Sequence, residues 1–294
     1  MFYVILVLKK VNVLEFQAEI IRAVQSVASP ALDMIFEAIT MLGEDFFIIF
    51  VATFIYWCFN KEMGYWMCWC LSFGNLVVNS TKVIFKVDRP IGTEGIRTLR
   101  EHTAPGYSFP SGHTHASANF FTAIARAVNR KRFWIMAAVI PALVGLSRLY
   151  LGVHWPMDVL GGYVIGIGLP LLLWLVYRKY AKYKPLLFFI STLVFVPFCF
   201  VCGDDTSFWK SLGFSLGVAI GAFIETKFIK FEIDEVPAKK KALRYIGGIV
   251  LIRIVYLGMK ALLPTGPVYS FVRYLCIPVA ATALWPAIFK KINL

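Results

Sequence analysis

Two histidines stand two residues apart in YSFPSGHTHAS, residues 107–117, and together they are half of the four in the chain. Pro110 and Ser111 precede an apolar run. Serine is a favoured helix N-cap, Gly112 lets the backbone come close to a ligand, and the free amides of a helix start form an anion site. Downstream, SRLYLGVHWPMD, residues 147–158, sets His154 four residues before Asp158. A carboxylate at that spacing reaches back to the imidazole, holds one ring nitrogen and frees the other as nucleophile or base. Upstream, KVIFKVDRP, residues 82–90, supplies Lys82 and Arg89, and Arg148 ends the apolar run ahead of His154. Each stretch alone has a bland reading: a snorkelling lysine, a capped helix, a surface His–Asp pair. Together they offer three cations, two histidines, one orienting carboxylate and a helix N-terminus. Phosphoryl transfer needs cations and N–H donors around the equatorial oxygens, an in-line nucleophile, and an acid for the leaving oxygen.

The elements that must position these residues are membrane helices. The chain of 294 residues is 59% hydrophobic, with a mean hydropathy of +0.70. A soluble domain is nearer half apolar, and here the excess comes in long blocks. The blocks predict an all-α, polytopic transmembrane helical bundle of about nine spans, near residues 44–59, 64–83, 114–128, 133–149, 157–177, 186–201, 208–228, 243–263 and 268–289. Residues 2–8 are apolar but too short to span, and residues 11–26 read as an N-terminal interfacial helix. The net charge of +13 raises nucleic acid as a partner, but its placement excludes that reading. Arg126–Arg132, Arg178–Lys184, Lys227–Arg244 and Lys290–Lys291 all fall on one side of a nine-span chain, as positive-inside topology requires. The longest polar loop, residues 86–110, falls on the other side. Within it, residues 92–107, with Arg97, Arg100, Glu101 and His102, either cover the mouth of the site and tune head-group choice or form a solvated loop. The six cysteines lie in or near apolar blocks and read as packing residues, with no disulfide and no zinc required.

Lys82-x6-Arg89-Pro90, Pro110-Ser111-Gly112-His113 and Ser147-Arg148-x5-His154-x3-Asp158 resemble the three-part signature of the type 2 phosphatidic acid phosphatase superfamily, the lipid phosphate phosphatases. All three parts match in the family's order, and the resemblance covers about residues 31–177. It implies that His154 is the nucleophile, forming a phosphohistidine, and that Asp158 orients it. It implies that His113 protonates the leaving alcohol and then activates water. Lys82, Arg89 and Arg148, with Ser111 and the backbone near Gly112, would hold the phosphate; Ser147 also belongs to the motif. No metal and no cofactor is implied, and the sequence offers no acidic cluster suited to magnesium. His115 lies outside the motif, turned roughly 200° from His113 on a helix, and is expected to pack. The implied substrate is a lipid phosphate or polyprenyl diphosphate; phosphatidic acid, phosphatidylglycerol phosphate and a sphingoid-base phosphate all fit.

The expected division is a phosphatase core over residues 1–184 and a C-terminal transmembrane extension over 185–294. In the extension, Gly213, Gly217 and Gly221 form a close-packing stripe, for a helix of the same chain ahead of a homodimer seam. The expected setting is a multi-pass protein of a bacterial plasma (inner) membrane, the site on the extracytoplasmic side. Two other functions use the same residues: a lipid phosphotransferase, and a transporter or scaffold with a vestigial site. Soluble haloperoxidases share this type of site, but the apolar blocks exclude a soluble chain.

Overall fold

Long apolar runs broken by Pro, Gly and charged clusters give helices throughout. The structure, a computed structural model, describes the backbone of residues 2–233 and 236–294, with side chains from residue 13 onward. Among the described residues there is no strand. In chain order the helices are α1 (Phe2–Gln25), α2 (Pro30–Met41), α3 (Asp45–Phe54), α4 (Lys61–Phe85), α5 (Gly112–Val128), α6 (Lys131–Tyr150) and α7 (Pro156–Tyr180). Then come α8 (Lys184–Leu193), α9 (Cys199–Cys202), α10 (Thr206–Ile224), α11 (Ala238–Leu262), α12 (Pro267–Val279) and α13 (Trp285–Lys291). Single π-helical segments, Ile55–Phe59, Glu225–Ile229 and Ala280–Leu284, continue α3, α10 and α12.

The expectation of nine spans is not met. Five helical runs are long and apolar enough to cross a membrane: Lys131–Tyr150, Pro156–Cys202, Thr206–Ile229, Ala238–Leu262 and Pro267–Lys291. The pair Pro30–Met41 and Asp45–Phe59, bent by 47°, makes a sixth if it is one span. The expected span at 114–128 is α5, only 17 residues long. Every residue from Thr114 to Ala125 is buried, because α4, α6 and α7 enclose it. Its apolarity answers to protein neighbours, and hydropathy does not separate that case from burial in lipid. The expected span at 64–83 is α4, whose second half carries Asn75, Asn79, Ser80, Thr81 and Lys82. The expected span at 186–201 is broken into α8, a 3-10 turn and α9.

Helices α4 to α7 run antiparallel, α4 to α5 through the long polar loop and the others through short connections, so the end of α4, the start of α5, the end of α6 and the start of α7 share one end of the bundle. The basic clusters gather at the other end. There Lys184 pairs with Glu62 at 2.5 Å, Lys61 with Glu225 at 3.1 Å, and Lys290 donates to the Ile229 carbonyl. The C-terminal helices share the hydrophobic core of α3 and α4: Trp57 Nε1 donates to the Ala281 carbonyl at 2.9 Å, and Tyr56 Oη to that of Thr282 at 3.1 Å. The glycine stripe is used within the chain. A Cβ on Gly213 or Gly217 would stand 2.2 or 2.4 Å from the Phe271 or Leu275 carbonyl of α12.

The N-terminal segment differs from the sequence reading in one respect. Residues 2–8 do not stand apart but belong to the same 24-residue helix as the expected interfacial segment; the side chains of residues 11 and 12 lie outside the described ones. That helix buttresses the site end. Gln17 Oε1 accepts from the Met157 amide at 3.1 Å, and Gln25 brackets Arg97, accepting from its N at 2.9 Å and donating to its O at 2.7 Å.

Candidate active site

The start of α7 sets the central pair. Pro156 occupies its first turn, and Asp158, three residues past the N-cap Trp155, turns its Oδ2 back to the Trp155 amide at 2.7 Å. The same oxygen lies 3.2 Å from His154 Nδ1 and accepts from the Ser108 hydroxyl. Ser108 Oγ is also 3.2 Å from His154 Nδ1. His154 and Asp158 are 2% and 1% exposed, so this pairing is desolvated. On the other edge of the ring, Arg89 Nη1 stands 3.0 Å from His154 Nε2. A guanidinium only donates, so Nε2 is the unprotonated acceptor and Nδ1 carries the proton toward Asp158. That is the tautomer a nitrogen nucleophile requires. Burial first, and the Arg89 charge next, hold this imidazole well below its ordinary pKa, which keeps it neutral.

Three cations surround this nitrogen, each held by neutral oxygens. Arg89 donates to the carbonyls of Pro105, Gly106 and Val153, each at 2.9 Å, and of Tyr107 at 3.2 Å. Burial lowers its pKa to about 10, so it stays charged near neutrality. Lys82 Nζ, at the end of α4, donates to the Tyr107 carbonyl at 2.7 Å. Arg148, fully buried at the end of α6, donates to Thr40 Oγ1 at 3.0 Å and to Thr103 Oγ1 at 3.3 Å. Among the described residues, no carboxylate pairs with Lys82, Arg89 or Arg148. Neutral acceptors orient a cation without cancelling its charge, which leaves an anion site.

Helix α5 closes the site. Ser111 caps it, and Thr114 N and Oγ1 donate to its Oγ at 3.5 and 2.9 Å. The Ser111 amide donates to the Asp158 carbonyl at 2.9 Å, locking α5 to α7. The amides of Gly112 and His113 lie in the first turn, where a helix supplies no acceptor. His113 Nε2 is buried without a hydrogen-bond partner. His115 lies away from this cluster, 1% exposed, with Nε2 2.7 Å from where a Cβ on Gly74 would stand. Ser147 spends its hydroxyl on the Val144 carbonyl at 2.6 Å.

The structure thus gathers Lys82, Arg89, Ser111, Gly112, His113, Arg148, His154 and Asp158 at one end of the bundle. It adds residues that the sequence reading did not single out. Ser108 sits inside the quoted histidine stretch, and a hydroxyl so close to His113 was the available signal. Thr40 and Thr103 gave none, since Thr40 lies 108 residues from Arg148 in sequence. The loop of residues 86–110 is tied down rather than solvated. Arg97 makes a two-point ion pair with Asp33 at 3.0 and 2.6 Å, Arg100 pairs with Glu44 at 2.6 Å, and the Leu99 amide donates to the Leu151 carbonyl at 2.9 Å. Gly152, at φ +67, lets this happen: a Cβ there would stand 2.2 Å from the Arg97 carbonyl.

Residues 64–183 match the PAP2 superfamily, and residues 209–294 match the PAP2 superfamily phosphatase, transmembrane extension. The chain is 31% identical to phosphatidylglycerophosphatase B of Bacillus subtilis over 161 residues, 50% of this chain and 75% of that protein. It is 34% identical to an undecaprenyl-diphosphatase of Sulfolobus acidocaldarius over 87 residues, 29% of this chain and 41% of that protein. A crystal structure of a transmembrane PAP2 type phosphatidylglycerolphosphate phosphatase from Bacillus subtilis aligns with a TM-score of 0.49 and 28% identity, covering 57% of this chain and 87% of that one. The chain belongs to the PAP2 superfamily, and the curated proteins it matches are lipid phosphatases.

Proposed function

We propose that this protein is an integral-membrane lipid phosphatase that removes phosphate from a lipid phosphomonoester or diphosphate through a phosphohistidine at His154. The observation that carries this reading is the His154 tautomer: Nδ1 is held by Asp158 and Nε2 is unprotonated among three cations without carboxylate partners. With a phosphate in place, Lys82, Arg89 and Arg148 take its oxygens, with Ser111 and the amides at Gly112 completing the cradle. An N–P bond forms at Nε2 as the bond from phosphorus to the leaving oxygen breaks. His113 gives that oxygen a proton. It then takes one from water, which attacks phosphorus, and the N–P electron pair returns to Nε2 as inorganic phosphate leaves.

The remaining parts of the reading follow from charge placement. The basic clusters share the end opposite the site, which supports an extracytoplasmic active site in a plasma membrane of bacterial type, with α1 at the interface. The division into a core over residues 1–184 and an extension over 185–294 keeps every site residue in the core; the extension has the role of a packing partner. Purified protein should release phosphate from a lipid phosphate, and acid-labile label from the lipid's phosphate should be trapped on His154. Activity retained by His154→Ala would overturn the proposal.

A further inference from the structure

Arg100 lies outside the three-part signature, yet the fold brings it to the phosphate site by two routes. Its carbonyl accepts from Thr103 Oγ1 at 2.8 Å, and that same oxygen accepts from both terminal nitrogens of Arg148 at 3.3 Å. Its Nη2 donates to Glu44 at 2.6 Å. Glu44 follows Gly43, whose Cα packs so tightly on the His113 carbonyl that a Cβ would stand 2.6 Å from the oxygen. Arg100 is therefore bracketed between Arg148 and His113. Its backbone is left-handed, with φ 53, which a non-glycine residue adopts only when its surroundings impose it.

The hydrogen bonds around Arg100 are incomplete in an informative way. Glu44 at 2.6 Å and Glu37 at 3.9 Å take the terminal nitrogens. Nε is buried without a partner, as are His113 Nε2 and Arg148 Nε. Three desolvated nitrogens lacking partners in one neighbourhood point to an acceptor-rich ligand. In-line displacement places nucleophile and leaving group on opposite faces of phosphorus. With His154 on one face, the leaving group lies beside His113, and whatever extends beyond it meets Arg100. The three signature cations serve the transferred phosphoryl group; on this side Arg100 has its terminal nitrogens taken by Glu44 and Glu37, and Nε is the donor left for another anion.

Resting on the lipid-phosphatase reading above, we propose that Arg100 selects substrates whose leaving group carries a second phosphate, donating from Nε to one of its oxygens. That phosphate is joined directly in a lipid diphosphate and lies one glycerol away in phosphatidylglycerol phosphate. In both, the leaving oxygen departs with its electron pair and takes the proton from His113, and Arg100 stabilises the second phosphate as it leaves.

The test uses purified full-length protein and three substrates: a polyprenyl diphosphate, phosphatidylglycerol phosphate, and phosphatidic acid, which has a single phosphate. Arg100→Gln should lower kcat/KM for a two-phosphate substrate relative to phosphatidic acid by about tenfold to a hundredfold, the loss of a charge-assisted hydrogen bond. The substrate that falls identifies where the second phosphate sits. Glu44→Gln, which breaks the ion pair and keeps the guanidinium, should keep the preference. Equal losses on all three substrates in both variants would mean that Arg100 and Glu44 are only a strut, and would overturn the proposal. The unmodified protein gives an independent arm: methylenediphosphonate should inhibit at least about tenfold more tightly than methylphosphonate, and equal inhibition constants would also overturn it. His154→Ala separates the two readings, since turnover surviving in that variant sinks the phosphatase mechanism whatever Arg100 does.

Discussion

At the His154 end of the bundle, Lys82, Arg89 and Arg148 are oriented by carbonyls and hydroxyls and, among the described residues, have no carboxylate partner. At the opposite end, Glu225 is fully buried and fully answered. Its carboxylate accepts from Lys61 Nζ at 3.1 Å, from the Phe231 amide at 3.0 Å and from the Tyr65 hydroxyl. Tyr56 Oη extends the network to Tyr65 Oη at 3.1 Å and to the Thr282 carbonyl at 3.1 Å. Both ends bear the desolvation cost of buried charge. One end offsets it with protein partners, which ties the C-terminal helices to α3 and α4. The other leaves it standing, so that an anionic ligand supplies the missing partner. The charge of Glu225 is satisfied and ties helices together; the charges of Lys82, Arg89 and Arg148 are left for a ligand.

The contrast breaks most visibly at the nucleophile. His154→Ala should lower phosphate release by about 10⁴-fold or more. His113→Ala should cost about 10² to 10⁴. Glu225→Ala should do the reverse. Removing one partner strands Lys61 and the Tyr65 hydroxyl, and stability should fall by about 3 kcal/mol, read by denaturation in detergent, while turnover per folded molecule is kept. If Glu225→Ala lost activity without losing stability, the two ends would not differ as described.

Arg148→Met sharpens the same comparison, because it removes a charge that no carboxylate balances. Activity should drop by about 10²-fold while stability holds or rises. Ser108→Ala should be milder, about tenfold in kcat, because Asp158 still holds Nδ1 and only the second hydrogen bond is lost. The smallest effect is on pH dependence. His154 is neutral in the fold through burial and neighbouring cations, so the acid limb of kcat/KM assigned to it should lie below the ordinary histidine range near 6.5. The sign for stability follows. Below about 6.5 the unfolded chain gains a proton at His154 that the folded chain refuses, so as pH drops stability is lost by at most about 1.4 kcal/mol per unit until the folded pKa is reached. His154→Ala should remove that slope.

Much of the site was legible because its residues are anchored to helix ends, where local chemistry leaves a trace. Ser111 as N-cap, Pro156 in the first turn and His154 four before Asp158 are all local patterns, and each appears in the structure at a helix start or as a hydrogen bond. The separation of His113 from His115 was legible too, as helical rotation. The span count was not, because α5 is enclosed by protein neighbours and α4 carries a polar second half. Nor was the loop's anchoring: Arg97 and Arg100 read as loop charges until Asp33 and Glu44 came within reach.

By itself the sequence determined the helical class and the gathering of candidate phosphate-binding residues at one end and of basic clusters at the other. These follow from composition, from helical period and from spacings of a few residues, which act over a turn or two of chain. Only the tertiary structure decided which helices face protein rather than lipid, which cations stay without a carboxylate, and that Thr40, Thr103 and Arg100 join the site. Those depend on distances between segments far apart in sequence, set by how α2, the polar loop and α6 pack together, and no local pattern encodes them.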